Sequence, residues 1–511
     1  MKEGLECCFL QAKPCAGCYF RHRRSISAPS RKWYYSYFKI AFSTKLCKNI
    51  SVKDQELYFR WRLGCAVLIR FRVRNFRSLK EEQELSMVAS SLKGPPEAVT
   101  QIAGLNLGLL RVAAIYGANA SGKTNVIRAL QYMRSAVCDS QRRWSPEGPI
   151  PREPFLLDPK SKSDSSSFDV DLVLDGVRFH YGFTLNDREI LGEWLDAYPS
   201  GKRQLWFKRE GKTFTFGKKL TGDNRAIERL TRPNSLFLSA AAQNNHEALL
   251  PVYKWFSEQL GYVPRERGFL DQETALMCKV EGFKPWIVGA LHAADLGVIG
   301  LEVREMNLLS LMRQAEEKVD DAHWSRVGEI LGALRKIAAF AKEEGVEFPV
   351  LEKRQKLSLF HKGSISAGVP FGEENESDGT LAFFGLLGPV FGTINSGGTL
   401  CVDELDASMH PLLALEVVRL FNDPKLNPRG AQIIFTTHDT NILDMASLRR
   451  DQIWFTEKDA EGGTHLYPLT DFKPRKNENL ARGYLQGRYG AVPFIGSTDF
   501  FANIQQDKAE P

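Results

Sequence analysis

Gly117-Ala118-Asn119-Ala120-Ser121-Gly122-Lys123-Thr124 is the stretch whose reading decides the fold. It fits the pattern GxxxxGK[ST], and its surroundings suit that pattern. The apolar run 110–116 before it reads as a buried strand, and 123–133 after it carries apolar residues at helical spacing. Small residues let consecutive backbone N–H groups wrap a phosphate, and a helix N-terminus adds the positive end of its dipole. Gly117, Asn119, Ser121, Gly122, Lys123 and Thr124 are therefore the candidate phosphate cradle. Lys123 is expected to reach the β- and γ-phosphates of a nucleoside triphosphate, and the Thr124 hydroxyl to ligate Mg²⁺. Strand, loop and helix in this order predict an α/β fold of the P-loop nucleotide-binding kind.

A phosphate cradle implies binding; hydrolysis needs carboxylates. Downstream, Thr399-Leu400-Cys401-Val402 reads as a buried strand ending in Asp403-Glu404. Asp403 at the strand tip is placed to hold Mg²⁺ through water, and Glu404, facing the other way, to polarise the attacking water. A helix opening at Pro411 and a second apolar strand, 431–437, complete a βαβ unit ending in Thr436-Thr437-His438-Asp439. A histidine at the C-terminal tip of a parallel strand lies where ligands bind in such sheets.

Working outward, residues 69–74 alternate Ile69, Phe71 and Val73 with Arg70, Arg72 and Arg74, the period of a half-buried strand. Its arginine face is read as solvated, with phosphate contact as the alternative. Residues 139–167, rich in Pro, Ser and Arg, read as a linker. Alternating runs then break at Asp175-Gly176, Asn186-Asp187 and Glu210-Gly211, the signature of a small antiparallel sheet. From 236 to about 340 the periodicity turns helical, which predicts a helical insertion splitting the nucleotide-binding core. The expected division is a leader at 1–66, core halves at 67–135 and 346–496, linker and β subdomain at 136–235, insertion at 236–345, and a tail at 497–511.

The chain has 511 residues, 43% of them hydrophobic and 25% charged, enough for more than one core. No apolar run reaches the ~20 residues of a membrane-spanning helix, so no membrane contact is expected and a cytoplasmic location is. The net charge of +7 is misleading, because residues 1–66 hold thirteen Lys/Arg against four Asp/Glu while the remainder holds 55 against 57. Six of the nine cysteines, Cys7, Cys8, Cys15, Cys18, Cys47 and Cys65, lie in the same leader. The leader is read as upstream sequence translated from a misassigned start, or as disordered; a structural metal at Cys15 and Cys18 and an organellar transit peptide are the alternatives. The body is read as disulfide-free.

Leu405-Asp406, Ser408-Met409-His410-Pro411 and Thr436-Thr437-His438-Asp439 together resemble the ABC-class ATPases. The resemblance makes Leu405-Asp406 the D-loop and has His438 contact the γ-phosphate. It makes Glu376-Ser377-Asp378-Gly379-Thr380 the signature loop, although the usual Leu-Ser-Gly-Gly-Gln form is missing. Ser377, Asp378 and Gly379 would then grip a nucleotide held by a second subunit. No glutamine is placed for the Q-loop; Gln141 and Gln243 are the candidates.

With Asn75-Phe76-Arg77-Ser78 and Gly483-Tyr484-Leu485-Gln486-Gly487-Arg488-Tyr489-Gly490 added, the chain is most similar to the RecF/SMC-like branch. Within it, the nearest group is the RloA-type ATPases of bacterial phage defence and abortive infection. The resemblance runs from about Val67 to Gly496. It implies Mg²⁺-dependent ATP hydrolysis, a homodimer or higher oligomer closing on ATP, and a separate effector, a nuclease or toxin. Seventy-three residues follow His438, too few for the C-terminal nuclease domain of the OLD type, so no nuclease activity is expected of this chain. The tail cations Arg449, Arg450, Arg475, Lys476, Arg482 and Arg488 are read as a solvated face, with contact to nucleic acid or a partner as the alternative. Two other readings stay open: the ATPase subunit of a membrane transporter, and a nucleotide-gated scaffold that does not hydrolyse.

Overall fold

The structure, a computed structural model, describes residues 66–306 and 354–493, apart from interruptions at 93, 103–104, 266–269, 281, 364–367, 446–447 and 476–477. The leader up to residue 65 with its cysteines, part of the expected insertion including its helical stretch at 319–341, Lys476 and the tail 497–511 lie outside the described residues.

The strand before the P-loop, Val112–Gly117, sits inside a six-stranded sheet. In spatial order that sheet runs Leu260–Val263, Thr399–Val402, Gln432–Thr436, Val112–Gly117, Ile453–Lys458 and Thr464–Pro468. The first five are parallel and the last is antiparallel to its neighbour. Alternate side chains enter different cores, as the pleat requires. Ala113, Ile115, Cys401, Ile434 and Trp454 face one cluster with the P-loop helix Lys123–Asp139. Val112, Ala114, Tyr116, Leu400, Val402, Ile433 and Phe435 face the other, with the helices Asp378–Ser396 and Pro411–Asn422. Burial on both sides explains why these strands read as unbroken apolar runs, each large side chain contributing roughly 1.5–3 kcal/mol.

Beyond the P-loop helix lies a seven-stranded antiparallel sheet, ordered Thr213–Phe216, Gln204–Glu210, Ile190–Tyr198, Val177–Leu185, Ser166–Leu174, Ala66–Arg74 and Gln83–Ser86. Its Asp175-Gly176 turn has φ of 49° and 78°, the two positive values that a two-residue hairpin demands. The expected β subdomain is thus continuous with the N-terminal strand, which pairs with it from Ala66↔Leu174 to Arg74↔Ser167. The two sheets are tied by Gln432, whose buried amide accepts from Leu68 N at 2.7 Å and donates to the carbonyls of Leu68 and Leu110 at 2.9 and 3.0 Å.

The arginine face of the first strand is neither simply solvated nor available to phosphate. Arg70 pairs with Asp171 at 2.5 Å, Arg72 with Asp169 at 2.6 Å and Arg74 with Asp164 at 2.5 Å. Carboxylates of the neighbouring strand and its approach make a cross-strand charge ladder.

Residues 236–345 differ from the helical expectation in two places. Helices Phe237–Gln243 and Leu250–Lys254 lead through a π-turn, Trp255–Gln259, into Leu260–Val263, the edge strand of the core sheet. A four-residue apolar run cannot be told from helix by periodicity; the open edge of Thr399–Val402 makes it a strand. Helices Leu270–Met277 and Phe283–Ala293 follow, and then Val298–Met306 joins Arg354–His361 and Val369–Gly372 in a three-stranded antiparallel sheet. No helix among the described residues is long and apolar enough to cross a membrane.

Candidate nucleotide-binding and hydrolytic site

The parallel strands deliver Gly117, Asp403 and Thr437-His438 to one end of the sheet. The P-loop there is tightly braced. A Cβ on Gly117 would lie 2.5 Å from the Thr456 carbonyl oxygen, and one on Gly122 2.2 Å from Thr464 Oγ1, so both close approaches require glycine. Ala120 takes a left-handed φ of 62° without that freedom, a local strain of order 1 kcal/mol. Asn125 Nδ2 donates to Ser78 Oγ at 2.7 Å, and Thr464 Oγ1 lies 2.7 Å from Ser78 Oγ and 2.8 Å from the Ser121 carbonyl oxygen.

The Asn75-Phe76-Arg77-Ser78 motif thereby acquires a physical role. Phe76 is buried in the core, Asn75 Nδ2 donates to the Ser161 carbonyl at 2.7 Å, and Ser78 buttresses the loop from outside. The C-terminal Tyr-rich motif braces the opposite side: Tyr484 stacks on Phe455 with ring centroids 5.5 Å apart and meets the Tyr116 ring edge-on at 5.9 Å.

Within the loop, Asn119 is exposed, whereas the Ser121 side chain is buried 2.6 Å from Thr456 Oγ1, leaving backbone N–H groups as what Ser121 offers a ligand. Lys123 is buried and donates from Nζ to the carbonyls of Gly117 and Ala118 at 2.9 and 3.0 Å. Burial lowers its pKa to about 8, against the opposing pull of Glu404, Asp403 and Asp406.

Thr124 Oγ1 donates to Asp403 Oδ1 at 2.9 Å, and Thr436 Oγ1 donates to the same oxygen at 2.7 Å. Thr436 in turn accepts from the Glu404 backbone N–H at 2.7 Å. Glu404 has a left-handed φ of 50°. That conformation turns its side chain away from the strand direction and is held by the Thr436 bond together with Leu405 N donating to the Thr436 carbonyl at 2.9 Å. His438 is exposed at the next strand tip, its backbone N–H 3.4 Å from Asp406 Oδ2. Its imidazole pKa is lowered, first by desolvation and then by the Lys123 ammonium, against Asp406 and Glu404.

Lys123, Thr124, Asp403, Glu404 and His438 are thus gathered in one chain. The segment Ser377, Asp378 and Gly379 is not joined to them: among the described residues it has no hydrogen bond or ion pair to the P-loop. Ser377 caps helix Asp378–Ser396, its Oγ accepting from Thr380 N at 3.1 Å, with Ser377 and Asp378 exposed. Gly379 is close enough to the Ser408 carbonyl that a Cβ would lie 3.0 Å from it.

Gln141 donates to the Leu230 carbonyl and accepts from Ser235 Oγ, which ties it to the β-sheet side. Gln243 is exposed at the end of its helix. Of the tail cations, Arg449 is buried against Asp451 at 2.8 Å, Arg450 donates to the Arg475 carbonyl, and Arg488 pairs with Glu478 at 2.6 Å.

The sequence motif contains Thr436 but assigns it no role. The signal was present, a hydroxyl closing an otherwise apolar strand. Thr436→Val is expected to leave the Glu404 N–H without its acceptor and Asp403 short of one donor, destabilising the fold by about 1–3 kcal/mol and slowing turnover of any hydrolysed nucleotide. Thr436→Ser should recover most of both. Denaturant titrations of the two variants check this, and a Val variant as stable as wild type would count against it.

No curated protein matches the chain by sequence. Among solved structures it is similar to the Smc head bound to the C-winged helix domain of ScpA, at TM-score 0.34 and 13% identity over 78% of this chain and 96% of that one. A second is the Smc head domain with an extended coiled coil bound to the C-terminal domain of ScpA from Pyrococcus furiosus, at TM-score 0.32 and 13% identity over 80% and 97%. A third is the recombination mediator protein RecF-ATPrS, at TM-score 0.31 and 14% identity over 79% and 99%. The family model described as "AAA domain, putative AbiEii toxin, Type IV TA system" matches residues 112–444, from the P-loop strand past His438, and the chain belongs to that family of P-loop ATPases.

Proposed function

We propose that this chain is a Mg²⁺-dependent ATPase that dimerises on ATP and signals to a separate effector, a nuclease or toxin, in bacterial phage defence or genome maintenance. The observation that carries the catalytic part is the hydrogen-bonded run Thr124, Asp403, Thr436 and Glu404 beside the buried Lys123 ammonium. Lys123 and the loop N–H groups bind the phosphates, and Glu404 polarises the attacking water. Thr124 and Asp403 supply two hard oxygen donors from side chains 2.9 Å apart, a set that suits Mg²⁺ completed by phosphate oxygens and water. When bound, Mg²⁺ supplies charge neutralisation on the β- and γ-phosphates.

The dimer rests on the exposed Ser377 helix start, which has the polarity to meet a phosphate but is not joined to its own P-loop. His438 completes the γ-phosphate surroundings. The separate effector and the defence role rest on the resemblance carried by the sequence motifs; the matching family model is described as a putative AbiEii toxin of a type IV TA system.

Mixing tests the dimer. Ser377→Arg and Lys123→Ala chains, each inactive alone, are expected to regain ATP turnover when combined, because a mixed dimer holds one composite site with both elements intact. Turnover independent of protein concentration in a monomeric sample would rule out the composite site. Turnover unaffected by chelation of Mg²⁺ would rule out the metal.

A further inference from the structure

Glu404 is held at two points by different parts of the chain. Its backbone is fixed by Thr436. Its side chain is met by Arg265, whose Nε lies 3.0 Å from Glu404 Oε2. Arg265 follows the edge strand Leu260–Val263, and that strand is registered on the Asp403 strand residue by residue from Leu260↔Thr399 to Val263↔Val402. Asp403 N donates to the Val263 carbonyl at 2.9 Å, so the pairing continues past the strand end and sets Arg265 opposite Glu404. A four-residue edge strand thus delivers a guanidinium to the carboxylate assigned to water activation.

The contact has little to do with folding. Arg265 is 68% exposed in its side chain, and a pair this open contributes about 0–1 kcal/mol to stability. Its geometry bears on the carboxylate instead. A glutamate side chain turns about several bonds, and Glu404 projects from a left-handed backbone with its side chain 21% exposed. The planar guanidinium holds one carboxylate oxygen, Oε2, and so limits rotation of the carboxylate. Arg265 also belongs to the same electrostatic neighbourhood as the other strand tips, since its charge contributes to holding down the His438 pKa.

We propose that Arg265 is a positioning residue for hydrolysis, holding the Glu404 carboxylate in the orientation from which it polarises the attacking water. The proposal rests on the reading of Glu404 as the water-activating group. It assigns Arg265 no part in binding ATP and no direct contact with the reacting atoms. Misplacing a reacting group by about 1 Å costs on the order of 10²-fold in rate, and that sets the scale of the expected loss.

The test uses the full chain as wild type, R265A, R265K, E404Q and R265A/E404Q, with steady-state turnover, single-turnover hydrolysis and binding of a fluorescent ATP analogue. R265A is expected to lower kcat by roughly 10- to 100-fold while KM and analogue affinity stay within about twofold. R265K, which keeps the charge without the planar fork, is expected to recover part of the loss. In the E404Q background, where no carboxylate remains to be positioned, adding R265A should leave the single-turnover rate within about twofold.

Three results would overturn the role while leaving hydrolysis intact: kcat unchanged or raised in R265A, KM raised with kcat unchanged, or an equal loss with and without Glu404. Wild type that binds the analogue but never turns ATP over would overturn the hydrolysis reading and the Arg265 role with it. Unaltered analogue binding in R265A separates these outcomes from a misfolded protein.

Discussion

Glu404→Gln is expected to bind ATP as tightly as wild type and to hydrolyse it about 10² to 10⁴ times more slowly, the usual loss when a positioned base is removed. The substitution keeps the side chain's shape. The backbone bond from Glu404 N to Thr436 Oγ1 is untouched, and so are the Thr124 and Thr436 bonds to Asp403. What disappears is the carboxylate's charge and its ability to take up a proton. If dimerisation follows ATP binding, this variant should also accumulate as the dimer, visible by size exclusion at saturating ATP. Near-normal turnover would remove Glu404 from the chemistry and shift attention to His438.

Lys123→Ala acts one step earlier. Its ammonium is the cation buried within the cradle, bonded to the Gly117 and Ala118 carbonyls and held near pKa 8 by burial. A charge-assisted hydrogen bond is worth about 1.5–3 kcal/mol, so losing its contacts to two phosphates should weaken ATP binding by at least ~10²-fold and carry turnover below detection. Calorimetric titration with ATP separates this from the Glu404 result, since one variant loses binding and the other keeps it. Affinity within a few-fold of wild type would mean that Lys123 does not reach the phosphates. An unchanged thermal midpoint without nucleotide is the control; the carbonyls that lose their donor are those of Gly117, the last residue of its strand, and Ala118, the first of the loop.

The parts of the site legible in the sequence are those built from consecutive residues. A phosphate cradle needs backbone N–H groups in series, so glycines, Lys123 and Thr124 fall within one octet. Asp403-Glu404 and Thr437-His438 are each adjacent pairs at a strand tip. The Asp175-Gly176 hairpin is similarly local, since positive φ at two neighbours selects those residue types. Thr436 and Arg265 were assigned no role because each acts on a residue more than thirty positions away, through a side chain whose type is common on surfaces.

The sequence by itself determined that a strand, a phosphate loop and a helix stand together, that carboxylates close a second buried strand, and that an antiparallel sheet intervenes. Those conclusions follow from periodicity and from the stereochemistry of neighbouring residues. Only the tertiary structure decided that the N-terminal strand belongs to that antiparallel sheet, and that its arginines spend their charge on Asp164, Asp169 and Asp171. It alone made Leu260–Val263 the edge of the core sheet, and used the Gln432 amide to join the two sheets. Each of these depends on a partner from roughly 90 to more than 360 positions along the chain. Pairing at that distance is settled by which backbone edge or buried polar group is left unsatisfied once the local elements have formed.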